Sequence, residues 1–264
     1  MASTAIEVVH PNVVSHEDWL AARKDFLRKE KEFTHQREEL SRQRRALPWE
    51  KVEKRYEFDS DQGKVTLADL FDGRSQLVVY HFMLAPGWQE GCPHCSYVAD
   101  HFDGTLLHLA HRDTTLVVVS HAPLAEIEAF KKRMGWKFKW VSSFGSDFNF
   151  DYHVSFTPEE RATGEVYYNY TTAKFPHEEG PGLSVFAKDA AGGLFHTYST
   201  YSRGLDILIN TYNFLDLVPK GRDENGHGMS WTRHHDRYQQ GYFAAPARKQ
   251  EQSKPSCCSG EGHS

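Results

Sequence analysis

Two cysteines separated by two residues are the part of this sequence best suited to chemistry. Cys92 and Cys95 enclose Pro93 and His94 in a Cys-Pro-His-Cys motif, which follows an apolar run and precedes a helical stretch. The N–H groups and positive dipole end at a helix N-terminus stabilise a thiolate and lower its pKa. We therefore predict that Cys92 attacks a disulfide and that Cys95 resolves the mixed disulfide. His94 is expected to tune the thiolate by a hydrogen bond or a positive charge.

The same cysteines could instead bind a metal ion. Two thiolates with one or two imidazoles suit copper or zinc, and the chain has 16 histidines. His94, His101 and His108 recur every seven residues, so they would share one face if a helix continued past Gly104. The ligands of this alternative are Cys92, Cys95, His81, His94 and His101. A metal-binding protein or metal-dependent oxidase is thus the second hypothesis. His81 by itself is typical of a hydrogen-bonded core residue, because it lies in an apolar run.

Two further side chains are expected to contact a substrate. Trp88 lies four residues before Cys92, where it could line a pocket or pack under the loop. Arg203 follows a strand rich in Tyr, Ser and Thr, where it could bind an anionic substrate or pair with Asp206.

The C-terminal part of the chain carries two more groups of reactive side chains. Cys257 and Cys258 are adjacent, so they could bind a thiophilic metal or exchange disulfides with the first cysteine pair. A tail without a role fits equally well, because chain ends tolerate change. The His-His-Asp run at 234–236 could supply acid–base groups or metal ligands if it folds back over the cysteines. We expect it on a surface helix held by Trp231, since adjacent side chains of a helix point in different directions.

Apolar runs and helical periodicity alternate from residue 56 onward, which predicts an α/β protein. Buried strands are expected at 77–83 and 115–120, followed by a helix at 124–134. Two strands around Gly192-Gly193 predict a hairpin, and 204–217 is expected to be a closing helix. Residues 155–180 have no clean period, so we expect an insertion or long loop that could cover the site.

Residues 15–47 predict a long amphipathic helix that ends before Pro48. Ser15 with Asp18 resembles a capping box. Apolar residues recur every seven positions at Trp19, Phe26, Phe33, Leu40 and Leu47. The mixed charges favour a solvated face. The apolar seam could instead pack on a second copy, so a homodimer through 15–47 and a noncatalytic interaction module form the third hypothesis.

The order of these elements resembles the redoxin branch of the thioredoxin superfamily. The similarity is carried by Thr66-Leu-Ala-Asp-Leu-Phe-Asp-Gly, the apolar strand, the cysteine pair, Val117-Val-Val-Ser and Ala129-Phe130. The segment Pro181-Gly-Leu-Ser-Val-Phe resembles the cis-proline segment of that fold. The resemblance implies a cis bond at Pro181, with its backbone beside Cys92 where a substrate strand can pair.

At closer range the chain is similar to the thioredoxin-like proteins catalogued as domain of unknown function 899. The motifs are Tyr80-His-Phe-Met, Gly91-Cys-Pro-His-Cys-Ser with Asp100 and Phe102-Asp-Gly, His196-Thr-Tyr-Ser-Thr-Tyr-Ser-Arg-Gly, Leu215-Asp-Leu-Val-Pro-Lys-Gly-Arg, and Trp231 with His235-Asp236. This family implies a fold rather than a reaction. Peroxiredoxins of the superfamily have Thr or Ser three residues before the reactive cysteine. Here that residue is Gln89, so disulfide exchange ranks above peroxide reduction.

The resemblance gives the predicted organisation. The fold class is α/β, with a thioredoxin-like central sheet of the redoxin type flanked by helices. A helical extension covers 1–50, the thioredoxin-like domain covers 51–218, and a C-terminal segment over 219–243 packs on it. Residues 244–264 are expected to form a disordered tail, because their composition cannot bury enough apolar surface.

Composition limits the partners. The 36 acidic and 31 basic residues give a net charge of −5, which disfavours nucleic acid. The N-terminus has no signal-peptide pattern and no apolar run approaches membrane-spanning length, so we expect a cytoplasmic protein without a membrane partner. The expected partner is a thiol or disulfide substrate, either a small molecule or a protein. No cofactor is required by the leading hypothesis, and copper or zinc belongs to the second.

Overall fold

An eight-stranded sheet organises the computed structural model, which describes residues 12–224 and 226–238. The strands are β1 (Glu50–Lys51), β2 (Glu57–Ser60), β3 (Gly63–Thr66), β4 (Gln76–His81), β5 (Thr114–Ser120), β6 (Lys139–Ser142), β7 (Val166–Tyr168), β8 (Thr171–Ala173), β9 (Gly182–Lys188) and β10 (Leu194–Tyr201). The helices are α1 (His16–Arg45), α2 (Pro93–Ala99), α3 (Leu106–His111), α4 (Leu124–Met134), α5 (Phe148–Asp151), α6 (Pro158–Ala162) and α7 (Asn210–Leu215). Short 3-10 turns cover Asp69–Phe71, Asp103–Thr105, Ser202–Leu208, Gly228–Trp231 and His235–Arg237.

The strand order is β1-β10-β9-β4-β5-β6-β2-β3, and β7 pairs with β8 separately. Strands β4, β5 and β6 are parallel, whereas β9 and β10 form the predicted antiparallel hairpin beside β4. Gly192 supplies the positive φ that this turn needs. The β2–β3 hairpin joins the other edge through β6. The predicted α/β class and thioredoxin-like sheet of the redoxin type are therefore confirmed.

Each face of the sheet carries its own apolar core. Alternate residues of a strand point to opposite faces. On β4 and just beyond it, Tyr80 and Phe82 contribute to the core that contains Cys95, whereas Leu77 and Val79 contribute to the other. The cysteine motif thus packs on only one side of the sheet.

Two sequence predictions for local structure are wrong. The helix expected over 204–217 is a 3-10 turn followed by α7, because Ile209 between them has a ψ of 87°. The loop expected over 155–180 contains α6 and the β7–β8 hairpin. Thr157 and Glu160 form a capping box at α6, so a local signal was present in this segment.

The helix after the cysteine motif breaks where the sequence analysis placed an interruption. Helix α2 ends at Ala99, and a 3-10 turn that contains Gly104 separates it from α3. His94, His101 and His108 therefore do not share one helix face, and this part of the metal hypothesis is wrong.

Helix α1 is confirmed, and none of its side chains is buried. Ser15 caps it by accepting a hydrogen bond from the Asp18 N–H at 3.2 Å. The five apolar residues of the sevenfold seam are 46–64% exposed. The homodimer through 15–47 stays a prediction.

Two other predictions concern the chain ends and membranes. Within residues 12–224 and 226–238, helices long and apolar enough to cross a bilayer are absent. The tail predicted over 244–264, with Cys257 and Cys258, lies outside the described residues.

Candidate functional site

The cysteine motif lies in the turn between β4 and α2. The Cys92 N–H donates to the Met83 carbonyl at 3.1 Å, and the Cys92 carbonyl accepts from Ser96 N–H at 2.9 Å. Gly91 passes against Phe82 and Phe130, where a Cβ would come within 2.8 Å of the Phe130 ring. Only glycine at this position lets the backbone before Cys92 pack directly against these two rings.

The two thiols have opposite environments. Both are free, with Cys92 partly exposed and Cys95 buried. The Cys95 thiol donates to Cys92, and the backbone N–H groups of Cys95 and His94 add to this, so the pKa of Cys92 falls to about 7. Burial raises the pKa of Cys95 well above its ordinary value, and its hydrogen bond with Cys92 raises it further. The pair thus has one activated sulfur and one held as a thiol.

Tyr80 brings an unexpected hydroxyl to the pair. Its side chain is fully buried, and its Oη has no hydrogen-bond partner within the described part of the chain. Cys95 lies near this oxygen, and burial raises the pKa of Tyr80 well above its ordinary value. The hydroxyl is therefore protonated at neutral pH and can donate to Cys95. Its place on an apolar strand gave no sign of this contact.

His94 meets Cys92 through its backbone rather than its ring. The ring bonds with the Met229 carbonyl, while burial lowers its pKa. Its backbone N–H donates to the Cys92 sulfur. His94 therefore lowers the pKa of Cys92 through its backbone N–H, and the predicted contribution of its imidazole is not seen.

The metal ligands proposed from the sequence do not converge. His81 packs with Phe148 and Tyr152 on the other face of the sheet, and its Nε2 lies 2.8 Å from Ser184 Oγ. His101 Nε2 accepts from the Thr211 N–H at 3.2 Å. Across 12–224 and 226–238 the side chains do not form a group of three or more His, Cys, Asp or Glu that could hold a metal. The copper or zinc hypothesis has no assembled ligand set here.

Pro181 lies in the same cavity as Cys92, but its preceding peptide bond is trans. The predicted cis bond is therefore wrong. Gly180 N–H donates to the Val154 carbonyl at 2.7 Å, and the Pro181 carbonyl accepts from the Tyr168 hydroxyl at 2.6 Å. These two bonds hold the segment extended as it enters β9.

A cavity of about 570 Å³ opens above the cysteines. Tyr80, Cys92, Cys95 and Pro181 line it together with the side chains of two later segments. Those segments contribute Phe175, His177, Met229, Ser230, Thr232 and Arg233. Its size is in the range of small-molecule sites.

Residues 226–238, which we call the C-terminal strap, form one wall of this cavity. His234 is buried, and its Nε2 donates to the Gly91 carbonyl at 2.8 Å. His235 Nδ1 lies 2.6 Å from the Asp100 carboxylate. Asp236 accepts from Arg133 at 2.8 Å. The expected surface helix is thus replaced by a short turn, and His234 contacts the motif itself.

Trp88 and Arg203 both line the cavity. The Trp88 indole N–H donates to Glu178 at 2.6 Å, which ties the motif loop to the segment before Pro181. Arg203 donates to Asp206 at 2.8 Å and remains 83% exposed. The pairing with Asp206 that the sequence left open is therefore present at the cavity rim.

The fold and site define a thioredoxin-like protein of the redoxin type whose two cysteines line a cavity. A family model described as bacterial protein of unknown function (DUF899) matches residues 8–238, so the chain belongs to that family. Comparison with curated proteins gives no match.

Several solved structures are similar to part of the chain. Peroxiredoxin Q from Xanthomonas campestris is 14% identical, with a TM-score of 0.42 over 62% of this chain and 95% of that one. Peroxidoxin BcpB from Mycobacterium tuberculosis is 14% identical, with a TM-score of 0.39 over 62% and 92%. Prx1a from Plasmodium yoelii is 18% identical, with a TM-score of 0.37 over 64% and 88%.

Proposed function

We propose that this protein is a thiol–disulfide oxidoreductase in which Cys92 is the nucleophile and Cys95 the resolving thiol. The observation that carries the proposal is the asymmetry of the pair. Cys92 reaches the cavity with its pKa lowered to about 7, so a large fraction is thiolate at neutral pH. Cys95 lies beneath it, buried and protonated, within reach of the mixed disulfide.

Exchange proceeds in two steps. The Cys92 thiolate attacks one sulfur of a substrate disulfide, whose S–S bond breaks as a mixed disulfide forms on Cys92. The other half of the substrate leaves as a thiolate and takes up a proton. Cys95 then loses its proton and attacks the Cys92 sulfur, which forms the Cys92–Cys95 disulfide and releases the second half. The substrate gains two electrons, and a second dithiol restores the pair by the reverse steps.

Tyr80 assists the second step. As Cys95 loses its proton, a thiolate develops in an apolar environment where an unpaired charge is costly. The Tyr80 hydroxyl, which has no other partner among the described residues, can donate to that sulfur as the charge develops, and so can the Met83 backbone N–H. Both contacts oppose the rise in the pKa of Cys95 that burial causes.

The proposal is tested by trapping the intermediate. Cys95→Ser should accumulate a mixed disulfide between Cys92 and half of a small disulfide, measured by mass spectrometry. Cys92→Ser should form none on Cys95. Both variants are made with Cys257 and Cys258 replaced by serine, so that the tail thiols cannot react. Exchange that persists in Cys92→Ser would overturn the mechanism.

The reactivity of Cys92 should increase with pH through neutrality. Because only the thiolate reacts with iodoacetamide, the alkylation rate of Cys92 should reach half its plateau near pH 7, where the pKa lies. The same protein unfolded in urea is the control, and its half-plateau should lie near the ordinary thiol value of about 8.5. Equal midpoints in the two states would contradict an activated Cys92.

A further inference from the structure

We propose that the pair acts on small disulfides with an apolar body and an anionic end, rather than on disulfides of other proteins. This inference rests on the proposed function and adds the substrate class to it. Three features of the cavity carry the inference: the backbone at Pro181, the segments that line it and the charge at its rim.

Two backbone groups of the segment that enters the cavity at Pro181 are already hydrogen-bonded within the chain. An extended peptide adds to a protein edge by pairing with free N–H and C=O groups. The Pro181 carbonyl is occupied by the Tyr168 hydroxyl at 2.6 Å, and the Gly180 N–H by Val154 at 2.7 Å. A substrate strand would have to break these bonds before it could pair at this segment.

Two segments distant from the motif in sequence line the cavity with the thiol. Phe175 and His177 belong to one, and Met229 and Arg233 belong to the C-terminal strap. The strap is fastened near its end, where His234 donates to Gly91 and Asp236 accepts from Arg133. A disulfide within a folded protein surface would need these segments to open, whereas a small molecule fits the cavity of about 570 Å³.

The lining combines an apolar interior with a cationic rim. Trp88, Phe175, Leu205 and Met229 offer apolar surface next to the sulfur. The rim carries two guanidinium groups, Arg203 and Arg233, and one carboxylate, Asp206. That carboxylate is already paired with Arg203 at 2.8 Å and with Arg222 at 3.1 Å.

Arg233 is the guanidinium best suited to an anionic ligand. It is exposed, and its own hydrogen bonds go to the backbone carbonyls of Ser230 and Thr232 at 2.9 and 2.8 Å. Guanidinium groups favour carboxylates, and clefts of one charge attract ligands of the other.

The test compares three disulfides with the reduced full-length chain that carries the Cys257→Ser and Cys258→Ser changes. Dithiobis-nitrobenzoate is aromatic and anionic, dithiodipyridine is aromatic and neutral, and insulin supplies a protein disulfide. Each initial rate is divided by the rate of the same protein unfolded in urea, which removes the intrinsic reactivity of the reagent. We expect the normalised rate with dithiobis-nitrobenzoate to exceed those with the other two by about tenfold or more.

Arg233→Gln tests the source of the charge preference. The ratio of anionic to neutral rates should fall about fivefold, because only the anionic reagent loses the attraction of the guanidinium charge. Arg28→Gln on α1 removes one positive charge from an exposed position paired with Asp25, so it serves as the matched control. It should leave the ratio unchanged.

The outcomes separate this inference from the proposed function. If insulin is reduced at the normalised rate of the small disulfides, or if Arg233→Gln leaves the ratio unchanged, the substrate class is wrong. If Cys92→Ser retains exchange with dithiodipyridine, the proposed function itself fails.

Discussion

Tyr80 and His81 are neighbours on β4, yet their side chains point to opposite faces of the sheet. The Tyr80 hydroxyl lies near Cys95 at the base of the cavity and has no hydrogen-bond partner among the described residues. His81 points to the other face, where its Nε2 lies 2.8 Å from Ser184 Oγ and its Nδ1 has no partner among the described residues. One residue along a strand therefore separates a group available to a reaction from a group committed to the fold.

The histidine side of this comparison continues as a chain of hydrogen bonds. Ser184 Oγ lies 2.8 Å from Ser199 Oγ, which lies 2.7 Å from His196 Nε2. These groups replace the water that each would lose on burial, so they stabilise the sheet rather than perform chemistry. A buried polar group facing a cavity without a partner is a better sign of function than burial alone.

The largest expected effects come from two substitutions, one on each face of the sheet. Cys92→Ser should lower disulfide exchange at least about 100-fold, because it removes the nucleophile, and should leave stability close to wild type. Ser184→Ala should do the reverse. It should lower the free energy of unfolding by about 1–3 kcal/mol by leaving His81 and Ser199 without this partner. Disulfide-exchange rates and urea unfolding are measured for both variants. A large loss of activity in Ser184→Ala would contradict the assignment of activity to one face and stability to the other.

A smaller effect is expected from the Tyr80 hydroxyl. Tyr80→Phe keeps the ring in the core but removes the donor to the developing Cys95 thiolate, so the mixed disulfide should resolve about tenfold more slowly. The loss should shrink at high pH, where Cys95 ionises more readily. Rapid quenching followed by mass spectrometry measures the resolving step.

Tyr97→Phe is the matched control for that variant. Its hydroxyl is also buried, but its polar neighbour is Thr211 rather than a cysteine. It should leave the resolving step unchanged, and equal slowing in the two variants would assign the Tyr80 effect to packing.

A further effect is expected on the pH dependence of stability. Burial lowers the pKa of His81 to about 3, whereas an unfolded histidine titrates near about 6.5. Between these values the unfolded chain binds more protons. The free energy of unfolding therefore falls as pH falls, by up to about 1.4 kcal/mol per pH unit from this group. In His81→Gln the slope of stability against pH from about 6 to about 4 should be shallower by that contribution. Urea unfolding across this range gives both slopes, and identical slopes would exclude a buried neutral His81.

The fold and the position of the cysteine pair between a strand and a helix could be predicted because their signals are local. Cys92 and Cys95 follow a strand and open a helix, and periodicity within a few residues shows both elements. Ser15 with Asp18 similarly predicted the start of α1. The His81 side chain was predicted as a core residue from its apolar run, which its bond to Ser184 bears out.

The surroundings of the pair could not be predicted because they depend on distant contacts. Alternation puts Tyr80 and His81 on opposite faces, but sequence does not tell which face holds the cysteines. The bond between His234 and Gly91 joins residues 143 positions apart. The segment at Pro181, whose preceding peptide bond is trans, is hydrogen-bonded to Val154 and Tyr168, which lie outside the motif that suggested a cis bond.

The bond between His234 and Gly91 also has a consequence for the order in which the protein is made. Chains leave the ribosome N-terminal end first, so Cys92 and Cys95 emerge long before the residues of the C-terminal strap. During that interval the wall formed by the C-terminal strap is absent, so Cys92 is open to larger molecules near the nascent chain. On the proposed function, selectivity for small disulfides is therefore acquired only after the strap has been synthesised and docked.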